Sequence, residues 1–249
     1  MTVPGGPSRG FPWLTWTVAL VVLAALLGLG SWQVERLAWK EELIATIAAR
    51  LSAEPVPLSS VLASDRPIAE QEYLRVSVGG TFVHEAERHF FATFEGATGF
   101  YVYTPLKLED GSFLFVNRGF VPYDNKDAAT RPDGQVTGRV AVTGLLREAL
   151  AEKPSAIVPD NDPAKNIFYW KDIREMSASS GLGSASRIMG FFVDADDSPN
   201  PGGLPIGGVT IIDLPNNHLQ YAVTWFGLAA TLLAVLVAWT WGRMRPSNP

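Results

Sequence analysis

Two uncharged apolar segments, one near each end of the chain, constrain the fold more than any other feature. The first covers residues 13–32 and the second residues 221–241. No charged residue falls between Arg9 and Glu35, and none between Asp213 and Arg243. An α-helix needs about 20 apolar residues to cross a bilayer core of about 30 Å. A charge at mid-bilayer costs about 3 kcal/mol or more, so gaps of this kind are what a spanning helix requires. The stretch between the segments is then one excursion on a single side of a membrane. The expected organisation is a tail over residues 1–12, a first span over 13–32, an extramembrane domain over 33–214, an entry segment with the second span over 215–241, and a tail over 242–249.

The first segment is longer than the apolar core of a signal peptide, about 7–15 residues, and has no A-x-A cleavage site after it. A helix is expected to continue from it over residues 31–51, with Val34, Leu37, Leu43, Ile44, Ile47 and Leu51 as apolar positions. Ala24 and Gly28 in the first span, with Ala230 and Ala234 in the second, are small residues at i, i+4, a spacing that lets two helices pack closely. Basic residues set orientation. Arg243 and Arg245 follow the second span directly, whereas Arg36 and Lys40 follow the first and vote the other way. The favoured topology has both termini cytoplasmic and the domain periplasmic, in a bacterial inner membrane, because the N-terminus does not resemble an Arg-rich transit peptide.

A net charge of −5 argues against a nucleic-acid partner. The chain has no cysteine, which excludes thiolate metal sites, thiol catalysis and disulfides. With no cysteine and four methionines, the sequence shows no copper site.

The middle of the chain is punctuated like a β domain. Residues 73–78 alternate, 89–94 are aromatic, and 100–108 and 113–121 flank Glu109-Asp110-Gly111, which predicts a hairpin with a primed turn. Residues 136–146 are β-branched with Gly138 and Gly144, where a bend or bulge is expected. Residues 188–193 and 209–214 complete the set. The prediction is a mainly antiparallel, barrel-like β domain, with a short helix over residues 172–180 that starts at Asp172 and stops at Gly181. Residues 151–165 and 194–208 read as loops, the second expected to let sheet and span orient separately.

Histidine is scarce: His84, His89 and His218. His84 and His89 are five apart, the wrong spacing for a metal pair on one face of a helix or strand, and read as structural. His218 sits at the mouth of the second span, where Pro215 and a neighbouring Asn can start a helix. Tyr221 and Trp225 follow at i+3 and i+7, so an imidazole, a phenol and an indole share one stripe. Aromatics are routine at the membrane boundary; a histidine there is less so. Imidazole is a usual axial ligand of haem iron, and a membrane edge suits an amphiphilic porphyrin. Trp32, Gln33 and Arg36 leave the first span at the same depth, and Arg36 could pair with propionates or reach lipid phosphate. The candidate site is His218 as iron ligand, Tyr221 and Trp225 flanking the ring, and Trp32 and Arg36 closing the outer edge. No acid/base pair surrounds His218, Asp213 being the nearest acid, so an enzyme is not expected.

Five blocks in order carry a family resemblance: Leu29-Gly30-Ser31-Trp32-Gln33-Val34-Glu35-Arg36-Leu37-Ala38-Trp39-Lys40; Glu72-Tyr73-Leu74-Arg75-Val76 with Gly80-Thr81-Phe82; Gly99-Phe100-Tyr101-Val102-Tyr103-Thr104-Pro105-Leu106 with Val116-Asn117-Arg118-Gly119-Phe120-Val121-Pro122; Gly144-Leu145-Leu146-Arg147; and residues 215–226. The chain resembles the Surfeit locus protein one (Shy-one) family of cytochrome c oxidase assembly factors. Phe120 departs from the family's tryptophan at that position. Arg118 and Arg147 match family positions and are expected to pair within the sheet. The resemblance implies a role in inserting haem a, bound non-covalently, into subunit I of an aa3-type oxidase, with subunit I, haem a synthase and membrane lipid as partners. It also implies a second-span histidine as haem ligand, and His218 matches that position. The alternative is a cofactor-free scaffold that holds an oxidase subunit I intermediate.

Overall fold

The computed structural model describes residues 12–210 and 212–244. They divide into two units, Met1–Thr46 with Asp213–Pro249, and Ile47–Ile212. The basic residues Arg9 and Arg245 lie outside the described residues.

The first unit is a helical hairpin. Helix α1 runs unbroken over Trp13–Ser52, so the first apolar segment and the predicted helix after it are one element. The second apolar segment lies in a helix over His218–Met244, the fourth in chain order (α4). Both are long and apolar enough to cross a membrane, as the charge gaps predict. The covered positions of α1 include Trp16, Ala19, Leu23, Leu26, Gly30, Gln33 and Leu37, and those of α4 are His218, Ala222, Trp225, Ala229, Leu232, Leu236 and Thr240. Their steps of three and four residues are those of a coiled-coil seam. The pair is antiparallel: Trp16 Nε1 donates to Thr240 Oγ1 at 3.1 Å at one end, and Gln33 meets His218 at 2.8 Å at the other. Ala24, Gly28, Ala230 and Ala234, expected at the contact, are all exposed, and a methyl group on Gly28 would meet nothing. Their i, i+4 spacing marks a face of each helix, but the heptad of larger residues decides which face is covered. Gly30 is the glycine at the contact, with the Phe226 ring 2.7 Å from where its Cβ would stand.

The second unit is the barrel. Its strands are β1 (Val56–Pro57), β2 (Arg75–Phe82), β3 (Arg88–Phe94), β4 (Ala97–Lys107), β5 (Phe113–Pro122), β6 (Arg139–Glu148) and β7 (Ile188–Ala195). The order is β1-β2-β6-β7-β5-β4-β3, and a further β2–β4 pairing closes β2, β6, β7, β5 and β4 into a ring. Pairing is mainly antiparallel, as predicted, but β5–β7 and β1–β2 are parallel. The β5–β7 pairing is possible because β6 and a long crossover separate the two strands in sequence. β5 is buried on both faces: Leu114 and Val116 join the core with Val76, Leu106, Leu146 and Val193, while Phe115 packs with Tyr103, Phe168, Phe192 and Met176. Short helices cover both clusters: α2 (Leu58–Leu62) brings Leu58 and Val61 to the first, and α3 (Ile173–Ser179) brings Met176 to the second. Each such fully buried apolar side chain contributes about 1.5–3 kcal/mol. Asp172 caps α3 as predicted, accepting from the Arg174 and Glu175 backbone N–H groups.

Two expectations are corrected. The primed hairpin turn is Glu95-Gly96, with φ of 49° and 82°, whereas at Glu109-Asp110-Gly111 only Gly111 has a positive φ (80°). Gly111 N donates to Leu108 O at 3.1 Å and Leu108 N to Ser112 O at 2.8 Å, the pattern of a three-residue loop with a glycine bulge. Residues 209, 210 and 212–214 are not a strand; Thr210 is held instead by its hydroxyl, which donates to Asp194 Oδ2 at 2.9 Å. The 194–208 loop is pinned to the barrel, because Phe120 and Ile206 exchange both backbone hydrogen bonds at 2.8 Å. Gly119, with φ of 127°, permits that approach, since a Cβ there would collide with the Ile206 carbonyl. The bend expected within 136–146 falls at Gly138, with φ of 81°, just before β6; β6 itself, Gly144 included, keeps regular register with both neighbours, and the ladder irregularities fall between Tyr101 and Tyr103 and between Phe113 and Phe115.

Candidate functional site

His218 is the first residue of α4. The helix starts there because Pro215 precedes it, the Asn216 side-chain oxygen accepts from the His218 N–H at 3.4 Å, and the Asn217 carbonyl accepts from the Tyr221 N–H at 3.2 Å. The imidazole sits half-buried at the end of the helical seam. Its Nδ1 is 2.8 Å from Oε1 of Gln33, itself only 9% exposed on α1. A carbonyl oxygen can only accept, so this contact favours the tautomer in which Nδ1 carries the proton and donates. Nε2 is then the nitrogen with a free lone pair, the arrangement of a metal-ligating histidine whose other nitrogen is held by an acceptor.

The remaining predicted residues divide between seam and flank. Trp225 is half-buried two turns into α4. Tyr221 is 53% exposed and Trp32 51% exposed. Arg36 is half-buried, with its guanidinium 4.2 Å from the centre of the Trp39 ring and no carboxylate within 4.0 Å among the described residues. At 100° per residue, Trp32 and Arg36 lie to one side of Gln33, and Tyr221 lies to one side of His218. In an antiparallel pair those sides coincide, and the Gly30–Phe226 contact lies on the opposite flank of both helices. One face of the hairpin therefore presents His218, Tyr221, Trp225, Trp32 and Arg36. Farther along, the two helices enclose an apolar groove that includes Val18, Val22, Leu232, Val235 and Trp239.

This chemistry suits a planar, amphiphilic ligand that brings its metal with it. No group of three His, Asp or Glu side chains could hold a bare ion among the described residues. One imidazole is sufficient only where the remaining ligands come from the chelate, as in a porphyrin. Gln33 stands in the sequence at the depth of Trp32 and Arg36, but sequence reasoning gave it no role in the site. Its signal was present: it is the polar side chain in a heptad otherwise filled by Ala19, Leu23, Leu26, Gly30 and Leu37.

The other candidate residues have structural partners. His89 is buried, with Nε2 at 3.0 Å from Glu87 Oε1 and Nδ1 at 3.0 Å from Asn166 Nδ2, so both ring nitrogens are engaged. His84 Nε2 meets the Val136 carbonyl at 2.8 Å. Burial pushes Glu87 up, but the His89 hydrogen bond and the Arg131 charge outweigh it and hold the carboxyl below its ordinary value. Burial lowers His89, and its contacts with Glu87 do not offset this. Arg147 pairs with Glu72 at 3.0 Å and Asp194 at 3.5 Å, as expected within the sheet. Arg118 does not fit that expectation: it lies over the Phe82 ring with no carboxylate within 4.0 Å.

Comparison with known proteins gives one consistent result. Residues 20–230 match the model of the SURF1 family. The chain is 38% identical over 247 residues to a SURF1-like protein of Monosiga brevicollis, covering 94% of this chain and 89% of that one. It is 39% identical over 235 residues to Surfeit locus protein 1 of Homo sapiens, covering 87% and 74%. The corresponding figures for Surfeit locus protein 1 of Rattus norvegicus are 38% over 228 residues, covering 85% and 71%.

Proposed function

The chain belongs to the SURF1 family, and from that premise we propose that it is an assembly factor for an aa3-type cytochrome c oxidase, binding haem a and assisting its insertion into subunit I. The observation that carries this reading is the His218–Gln33 hydrogen bond at 2.8 Å. It leaves Nε2 of a membrane-edge imidazole free to ligate iron. When bound, haem a would supply the iron; the chain would supply position. His218 would ligate the iron, Tyr221 and Trp225 would offer aromatic faces to the ring, and Arg36 would offer guanidinium donors to propionates. The apolar groove between the helices suits the ligand's hydrocarbon tail.

The protein acts as a carrier, not an enzyme, and works beside subunit I, haem a synthase and membrane lipid. It sits in a bacterial inner membrane with both termini cytoplasmic and the barrel periplasmic. In cells lacking the gene, the wild-type chain should restore haem a in oxidase subunit I and His218→Ala should leave it depleted. Full restoration by His218→Ala would leave the cofactor-free scaffold as the better account, the more so if the haem-free protein still co-purifies with subunit I.

A further inference from the structure

Among the described residues, Arg118 of β5 is the largest fully buried side chain of the barrel, 2% exposed, and no carboxylate lies within 4.0 Å of it. Its Nη2 donates to two neutral acceptors, the Gly134 carbonyl at 2.6 Å and Asn200 Oδ1 at 3.1 Å. Its Nη1 is buried with no hydrogen-bond partner among the described residues. Glu87, the carboxylate that acts on it most, is taken up by Arg131 and His89. A buried charge without a partner costs several kcal/mol. Burial pushes Arg118 down to about 10, so the guanidinium is still charged at neutral pH.

Arg118 also lines a cavity of about 220 Å³, together with Phe82, Val140, Thr143, Ser198 and Asn200. We propose that this cavity receives a single carboxylate on a short aliphatic stem, which supplies the counter-charge that Arg118 lacks. Guanidinium and carboxylate match as charge-assisted hydrogen-bonding partners. Thr143 and Ser198 add hydroxyl donors at the wall, and Phe82 and Val140 offer apolar surface to the stem. The volume lies below the roughly 300–1,000 Å³ of sites for whole cofactors or drug-sized ligands, so the occupant is one arm of side-chain size. Asp196 shares the cavity, 4.0 Å from Arg75. Its charge selects against phosphate and other multiply charged anions and in favour of a monocarboxylate. The carboxylate comes either from a glutamate side chain of a partner polypeptide or from a free small acid.

The test is thermal unfolding of the full chain in detergent, titrated with sodium propionate, with sodium chloride at matched ionic strength and with uncharged propionamide. Propionate should raise the unfolding temperature saturably, and neither control should. Ser198→Phe, an exposed change at the cavity wall that leaves Arg118 in place, should weaken the propionate response at least tenfold with little change in the unliganded midpoint. Arg118→Lys should weaken it too, because it keeps the charge but loses the planar fork. Competition by N-acetylglutamate amide assigns the arm to a polypeptide, and lack of competition assigns it to a small acid. Equal responses to propionate and propionamide, or an undiminished response in Ser198→Phe, would overturn the proposal.

Discussion

Replacing Gln33 with leucine removes the acceptor 2.8 Å from His218 Nδ1 while keeping a side chain of similar size in a covered position of the seam. Hydrogen bonds between membrane helices average about 0.6 kcal/mol and reach about 1.7. At 1.4 kcal/mol per tenfold, this one biases His218 towards the Nδ1–H tautomer by roughly threefold to nearly twentyfold. The hairpin itself should tolerate the change, because leucine keeps the covered position filled and only the half-buried His218 Nδ1 loses its partner. The ligand site should not: loss of the partner that orients a ligating histidine lowers metal affinity by about 10–100-fold. The assay is nitrogen NMR of ligand-free protein isotope-labelled at histidine. With His84, His89 and His218 the only histidines, His218→Ala assigns its signals. Wild type should show His218 protonated at Nδ1, and Gln33→Leu should move it towards Nε2–H. A wild-type His218 protonated at Nε2, or a tautomer unmoved by Gln33→Leu, would refute the reasoning. Because no ligand is present, that result stands apart from whether haem a binds.

Other substitutions probe the barrel. Phe192→Ala empties a site between Tyr103 and Phe115 and should cost about 3–5 kcal/mol, read as a lowered denaturant midpoint. Gly119→Ala places a Cβ against the Ile206 carbonyl and should cost at least about 1–3 kcal/mol by freeing the 194–208 loop, detectable as faster proteolysis within that loop. The buried Glu87–His89 pair makes the barrel acid-sensitive. His89 is lowered from its ordinary value of 6.5, so the unfolded chain binds a proton that the folded one refuses. Its contribution is whole above pH 6.5 and is lost as pH falls below that towards the folded value. Glu87, held below 4.5, adds a second loss of the same sign at lower pH. The unfolding temperature should therefore drop between about pH 7 and pH 5.5, and His89→Gln should flatten that drop; an equal drop in both proteins would count against it.

How much was legible in the sequence follows from how local each signal is. The spans, the continuous α1 and most strands are read from charge gaps and periodicity within single segments. The Asp172 cap is equally local. The Glu95-Gly96 turn was passed over because Glu is an uncommon residue at positive φ, whereas Asp110-Gly111 carries the stronger dipeptide signal in a longer loop. Residues 209–214 have strand composition, yet whether such a run becomes a strand depends on a partner edge, which composition does not contain. Ala24, Gly28, Ala230 and Ala234 have the spacing of a contact, but the covered face is chosen by both helices together. His218 stood out because polar residues are costly at that depth, and Gln33 met the same criterion. Its role became visible only when α1 and α4 were paired across 185 positions. The unpaired state of Arg118 likewise depends on which carboxylates the barrel brings near, and Arg147, equally conspicuous in sequence, is paired.

The most direct measurement is the optical spectrum of the detergent-purified full chain, wild type and His218→Ala, each produced together with haem a synthesis. The account predicts a haem a spectrum in the wild type that is lost or shifted in the variant, with the barrel folded in both. The same spectrum in both proteins, or no haem in either, would contradict it.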